Sequence, residues 1–299
     1  MENKIKWIHC IFIALTAQII DGIHVARHVK SRVMKEINRL KAKNTEPCLA
    51  TVLVGDDLAS ATYIKNKQRA AIELGMKTRD LRLNSSCTQS ELIELIKSLN
   101  DEVNVHGILV QLPLPVHLDT YIITNTIKPS KDVDGLTTTN IGLLVSGRGS
   151  LKPCTPVGII ELLDHYGINV SGLHVVIVNR SQLVGKPLAF LFLERNATVT
   201  ICHSKSNDIL KEIKDANLVV TGVGNREKFT LTGDMITNGS IVVDVGITRY
   251  EGKLGGDVDY PSVAQKAAWI TPVPGGVGPM TVSMLLNNTL IAASLSTPD

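Results

Sequence analysis

Residues His174 to His203 read HVVIVNRSQLVGKPLAFLFLERNATVTICH. The β-branched run HVVIV predicts a strand, the stretch near Val184 to Glu194 a helix, and ATVTICH a second strand. Strand, helix and strand in that order form a βαβ unit, and repeated units build a mostly parallel sheet with helices on its faces. The rhythm continues downstream in NLVVTGV and SIVVDVG. Upstream it starts at Pro47: LATVLVG, a helical pattern over Ala59 to Leu74, KTRDLRL, a helix from Thr88 to Leu99, then VHGILVQ. A Gly/Ser-rich break, LLVSGRGSLKP, separates the two series, and a helix near Pro156 to Tyr166 opens the second. The fold class is therefore α/β with two βαβ domains, divided near Gly147 to Ser150.

Outside these series, Ala26, Val29, Val33, Ile37 and Leu40 recur at three and four residues, which marks an amphipathic helix. A last helix is expected from about Met280 to Ser294, started by Pro279. The chain has 299 residues, long enough for two domains, and 44% hydrophobic residues supply a core for each. Net charge is only +3, with no block of like charges, which argues against a nucleic-acid partner. Five scattered cysteines without a C-x-x-C pair fit reduced thiols in a cytoplasm and disfavour zinc. The apolar run WIHCIFIALTA after Lys4 and Lys6 imitates a signal peptide. It is too short to span a bilayer, and it reads better as an extra strand or an upstream extension; no membrane partner is expected.

A dinucleotide-binding fold places its phosphate loop after the first strand of the unit, here Asn179-Arg180-Ser181-Gln182-Leu183-Val184-Gly185. The three-glycine fingerprint is absent. Asn179 can take a left-handed turn, and the helix opening at Val184-Gly185 offers backbone N–H groups to an anion; a plain strand-to-helix turn stays open. The next strand ends Cys202-His203-Ser204-Lys205, without the acid that grips the ribose hydroxyls of NAD. With Arg180 and Ser204 able to bind a 2′-phosphate, NADP fits better. Gly222 and Gly224 are either a strand end against ligand or a simple turn.

Two proline-punctuated strand ends, VQLPLP and WITPVPGGVGPMT, combine extended backbone with glycines that permit close approach. Gln111 stands at the first, and Thr271 to Thr281 lead into a helix; each segment also suits a rigid crossover loop. Asp132 and Asp134 in KDVDG are either two carboxylates on one side of an extended segment or a turn ending in Gly135. His24 and His28 have helical ligand spacing but no Glu base and no third ligand in view, so no metal site is expected. Tyr63 and Lys67 share a helix face, whereas Lys65 is turned roughly 160° from Tyr63 at about 100° per residue. Spacing alone leaves Lys67 an ordinary solvated lysine.

Taken in order, VGDDLASATYIKNK, GILVQLPLP, PSKDVDGLTTTNIG, PCTPVGIIELL, NRSQLVGKPLAFLFL, ATVTICHSKS, VVDVGITR, GGDVDY and TPVPGGVGPMTVSMLLNNT closely resemble the bifunctional methylenetetrahydrofolate dehydrogenase/cyclohydrolase family, from about Ala17 to Ala293. The likeness begins at AQIIDG, which leaves residues 1–15 as an extension. It implies a folate-binding catalytic domain of residues 16–149 and 275–299, a Rossmann-like NADP domain of residues 150–274, a ligand cleft between them, and a homodimer. It implies that Lys67 is the catalytic lysine, Gln111 its support, Tyr63 the platform under the pterin, and Asp134 the acceptor for the pterin's amidine-like edge. Pro274, Gly275 and Gly276 would line the same pocket. Thr155, Asn179, Arg180, Ser181, Ser204, Ile247 and Thr281 would lie near NADP. Asn179 departs from the family, which usually has glycine there. The resemblance implies oxidation of 5,10-methylenetetrahydrofolate followed by hydrolysis of the methenyl product to 10-formyltetrahydrofolate. The first step asks for alignment of two rings. The second asks for proton transfer, which a partly buried lysine held by a neutral glutamine can supply.

Overall fold

A computed structural model describes residues 16–250 and 252–297. The extension, residues 1–15, and any strand within it lie outside the described residues. The chain runs β1 (Gln18–Ile19), α1 (Gly22–Ala42), β2 (Cys48–Val54), α2 (Leu58–Glu73), β3 (Lys77–Leu83), α3 (Gln89–Asp101) and β4 (Gly107–Val110). It continues through α4 (Thr120–Thr126), α5 (Thr138–Val145), α6 (Cys154–His165), β5 (His174–Val178), α7 (Gly185–Glu194), β6 (Thr198–Cys202) and α8 (Ile209–Lys214). Then come β7 (Leu218–Thr221), β8 (Ile241–Asp244), β9 (Thr248–Tyr250), β10 (Lys253–Gly255), α9 (Tyr260–Ala264), β11 (Trp269–Ile270) and α10 (Val277–Ser296).

Two parallel sheets result. The first has the order β3-β2-β4 and the second β1-β11-β8-β7-β5-β6; β9 and β10 form a separate antiparallel pair. Central β2 is buried along its whole length, as a mostly apolar strand covered on both faces is, and the hydroxyl of its one polar residue, Thr51, is hydrogen-bonded. Edge strand β3 carries Lys77, Arg79, Asp80 and Arg82, charges that blunt an open edge. β1 precedes the first sheet in sequence but pairs in parallel with β11 of the second. In each sheet the chain leaves a central strand to one side and then returns to the other: β2 is flanked by β3 and β4, and β5 by β6 and β7. Such reversals open a crevice beyond the carboxyl ends of the two diverging strands, where ligands of α/β sheets bind.

Capping fixes where the helices begin. The Asp21 carboxylate accepts from the His24 N–H at 3.0 Å to start α1, and Asp57 accepts from the Ser60 N–H at 2.7 Å to start α2. Along α1, Val25, Ala26, Val29, Val33 and Ile37 are buried, as the periodicity predicts. The last helix starts at Val277, three residues before the expected Met280, with Pro279 in its first turn where no helical N–H is needed. It buries residues around most of its circumference because it lies between α1 and α6 and reaches β4. A continuous core joins both sheets through α1, α6 and α10, while separate clusters fill the far face of each sheet. Asn288 of α10 donates to the carbonyls of Val133 at 2.8 Å and Lys152 at 2.9 Å. One buried amide thus anchors both the KDVDG turn and the segment entering α6.

Candidate functional site

Lys67 projects from α2, whose seat on β2 is fixed by the Gln68 amide donating to Thr51 Oγ1 at 2.8 Å. Gln111 follows β4, and its N–H donates to the Val52 carbonyl at 2.9 Å. Lys67 Nζ donates to Gln111 Oε1 at 3.0 Å, and Gln111 Nε2 donates to the Leu112 carbonyl at 2.7 Å. Both ends of the amide are therefore committed, and its oxygen is the end that faces the lysine. The pair stands at the crevice between β2 and β4 and lines a small cavity of about 170 Å³ together with Asp134, Cys154, Thr155 and Thr281. Lys65, on the same helix, is exposed.

The two aspartates of KDVDG have separate fates. Asp132 is buried and accepts from the N–H groups of Gly135 at 3.0 Å and Thr137 at 2.8 Å and from the Asn140 amide at 2.9 Å. It holds the turn. Asp134 faces the cavity, and burial pushes its carboxyl above the usual range against the opposing pull of Lys67, with Asp132 adding to the rise. Beside it the Cys154 thiol donates to the Val133 carbonyl at 3.3 Å, and burial pushes it well above the ordinary thiol range.

The small cavity joins a cleft of about 750 Å³ through Lys67, Gln111, Leu112, Thr155 and Thr281, which line both. Tyr63, 46% exposed, lines this cleft on one side, and Pro274, Gly275 and Gly276 line it on another. That volume suits a ring system with its appended groups. The Leu112–Pro113 and Val273–Pro274 peptides, both cis, border it. Thr155 and Thr281 hydroxyls meet at 2.8 Å and tie the first turn of α6 to the second turn of α10. Ile247 also lines the cleft. Ile23, Asn66 and Cys154 line the two spaces as well and were not singled out in the sequence. Asn66 and Cys154 lay within quoted motifs, SATYIKNK and PCTP, but neither residue type signalled a role alone.

The second crevice, between β5 and β7, has a different character. Asn179 does not take the left-handed conformation allowed for it; the described non-glycine residues with positive φ are Asn44 and Asn196. Instead its Oδ1 accepts from the N–H groups of Ser181 at 2.7 Å and Gly185 at 3.0 Å, and its Nδ2 donates across the crevice to the Gly222 carbonyl. The side chain folds into the crevice floor and braces the loop. The Val184 N–H is met by Ser181 Oγ at 3.1 Å, so several donors at the head of α7 are already satisfied. Gly185 itself is forced by space, since a Cβ would lie 2.1 Å from the Asn179 carbonyl oxygen. Arg180 and Ser204 are exposed at the ends of β5 and β6, beside Lys205 and with no acid between Cys202 and Ser206. That donor set fits a phosphorylated dinucleotide. Arg180, Ser181 and Ser204 stand apart from the cleft that holds Lys67.

Gly222 directly follows the end of β7 and Gly224 lies two residues further on, and neither lines the large cleft. The Gly224 N–H donates to Asp257 at 2.9 Å, and Asp244 accepts from Gly246 at 2.9 Å, Asp257 at 3.1 Å and Val258 at 3.0 Å. Burial pushes the Asp244 carboxyl up to about 6 in spite of these bonds. The two buried acids fix the loops that end β7 and β8.

Elsewhere, the fold supplies what the sequence did not show for His24 and His28. His165, last residue of α6, brings a third imidazole to the pair, with one nitrogen of each within 4.8 Å of the others. Among the described residues no helix is long and apolar enough to cross a membrane.

Comparison with known proteins finds relatives along nearly the whole chain. Residues 20–134 match the catalytic domain of tetrahydrofolate dehydrogenase/cyclohydrolase, and residues 153–297 match the NAD(P)-binding domain of that family. The bifunctional protein FolD of Nitrosopumilus maritimus is 53% identical over 94% of this chain and 98% of its own. That of Moorella thermoacetica is 50% identical over 93% and 99%. The crystal structure of bifunctional FolD from Campylobacter jejuni superposes with a TM-score of 0.91 at 44% identity, covering 93% of this chain and 99% of the other. The Trypanosoma brucei enzyme, solved with NADP cofactor and an inhibitor, gives 0.89 at 36% identity over 95% and 99%. With both domain models matched in order and relatives aligned almost end to end, the chain belongs to the tetrahydrofolate dehydrogenase/cyclohydrolase family.

Proposed function

We propose that this chain oxidises 5,10-methylenetetrahydrofolate with NADP and hydrolyses the methenyl product to 10-formyltetrahydrofolate, with Lys67 as the proton carrier of the second step. The pair of activities and the cofactor follow from the family. The observation that carries the residue assignment is the 3.0 Å bond from Lys67 Nζ to Gln111 Oε1 at the junction of cavity and cleft.

NADP, when bound, takes up the hydride from the methylene carbon. Arg180 and Ser204 would hold its 2′-phosphate, with Ser181 and the loop braced by Asn179 beside them. Thr155, Ile247 and Thr281 would border its nicotinamide end, and the Pro274-Gly275-Gly276 loop would flank the folate. Tyr63 packs on the pterin and Asp134 accepts hydrogen bonds from its amidine-like edge, so the two rings meet at a fixed distance. In hydrolysis, water adds to the methenyl carbon and the bond from that carbon to N5 breaks. One proton of the water ends on N5 and the other in solvent. Lys67 as amine takes the first proton and as ammonium returns it to the leaving nitrogen. Gln111 orients Lys67 without fixing a charge on it.

The same proposal places residues 16–149 and 275–299 in the folate domain and 150–274 in the NADP domain. It takes the protein as a cytoplasmic homodimer without nucleic-acid partners. Buried, unpaired Cys48, Cys87, Cys154 and Cys202 support a reducing compartment. Uncovered edge strand β6, with Ile201 37% exposed, supports assembly with a second copy.

The test is Lys67→Ala. Methenyl hydrolysis is expected to fall by about 10²–10⁴-fold, the usual contribution of a positioned acid-base group, with an unchanged circular dichroism spectrum. Hydrolysis at the wild-type rate refutes the role.

A further inference from the structure

We propose that His24, His28 and His165 form a surface site for a divalent transition metal, zinc being the best match, that staples the start of α1 to the end of α6. His24 and His28 are one helical turn apart on α1 and present their rings on one face. Packing of α6 against α1 carries His165 up to them, and the three ring centroids are 4.6, 5.4 and 5.1 Å apart. The Nε2 atoms of His24 and His28 are 3.1 Å apart. Two nitrogens bound at about 2.0–2.1 Å to one tetrahedral ion stand roughly 3.3 Å from each other. That pair is therefore within a few tenths of an ångström of ligating distance. Neutral imidazole is the ligand that zinc, copper and nickel accept most readily. All three residues are exposed, so metal enters freely and a fourth position is left for water.

Glu161, one turn before His165 on α6, pairs with the Arg32 guanidinium of α1 at 2.9 Å, a second tie between the same two helices. The clamp would also act on elements that reach the large cleft. At the head of α1 the Ile23 N–H donates to the Gly275 carbonyl at 3.1 Å, and a Cβ at Gly22 would lie 1.7 Å from the Gly276 oxygen. The first turn of α6 carries Cys154 and Thr155 of the small cavity. None of this depends on which reaction the cleft performs.

The full-length chain, stripped of metal, is titrated with Co²⁺ and then Zn²⁺. One equivalent of Co²⁺ with visible ligand-field bands is expected, with displacement by Zn²⁺ and a zinc-dependent rise in Tm. His28→Gln and His165→Gln should each weaken binding by more than the roughly 10–100-fold that follows loss of an outer-shell partner, while His203→Gln binds as wild type. Retained methenyl hydrolysis in both variants shows that they fold. Absence of a stoichiometric Co²⁺ complex in the wild type overturns the proposal, as does binding that both variants keep.

Discussion

The two sheets meet the same geometric problem at their reversal points and solve it in opposite ways. Between β2 and β4, side chains with chemistry fill the crevice: Lys67 donates to Gln111 at 3.0 Å above a cavity containing Asp134. Between β5 and β7, a side chain without acid-base chemistry ties down the backbone: Asn179 accepts from Ser181 and Gly185 and reaches across to Gly222. On the function proposed above, the first crevice moves protons and the second holds a loop in place for a flat, charged cofactor. Similar topology thus fixes where ligands bind, and the side chains at the strand ends decide what happens there.

The comparison breaks most visibly at the first crevice. Gln111→Glu puts a charge where the neutral amide oxygen accepts from Lys67, holds the lysine protonated, and is expected to reduce methenyl hydrolysis by about 100-fold, within the range of acid-base catalysis. The pH–rate profile should shift to alkaline pH; an unshifted profile means that Gln111 does not control the lysine. At the second crevice, Asn179→Ala removes two acceptor contacts and one donor contact from the loop. The Km for NADP should rise roughly 5–30-fold, which corresponds to one or two kcal/mol, with hydrolysis unaffected. A fall in that Km would show instead that the Asn179 side chain obstructs the phosphates.

The smallest effect near neutral pH concerns Asp134. Burial raises its carboxyl above the ordinary value, so on acidification it takes up a proton at higher pH than a solvated aspartate. A protonated carboxyl loses an acceptor for the pterin. The Km for folate should therefore climb as pH falls, approaching about tenfold per pH unit well below the raised pKa, and Asp134→Asn should flatten that dependence. A pH-independent Km in the wild type contradicts the contact.

Much of this was legible beforehand, for identifiable reasons. Long buried strands such as His174–Val178 and Cys48–Val54 announce themselves by β-branched runs, and α1 by its apolar spacing. Two-residue β1, short α4 and α9, and the β9-β10 pair escaped, because such elements are held by tertiary partners and leave no period to read. In the site, spacing placed Tyr63 and Lys67 on one helix face, but only the wider set of motifs linked them to Gln111 and Asp134. For Asn179 the sequence allowed a left-handed turn, and the fold instead gives its amide partners in Gly222, Ser181 and Gly185. His165 was missed because nothing in one dimension ties the end of α6 to the start of α1.

The central claim is that the two crevices do separable work, and the most direct measurement compares Lys67→Ala with Asn179→Ala for both NADP affinity and methenyl hydrolysis. Lys67→Ala is predicted to lose hydrolysis while binding NADP as the wild type does, and Asn179→Ala to show the reverse. Parallel losses of both properties in both variants would contradict the account.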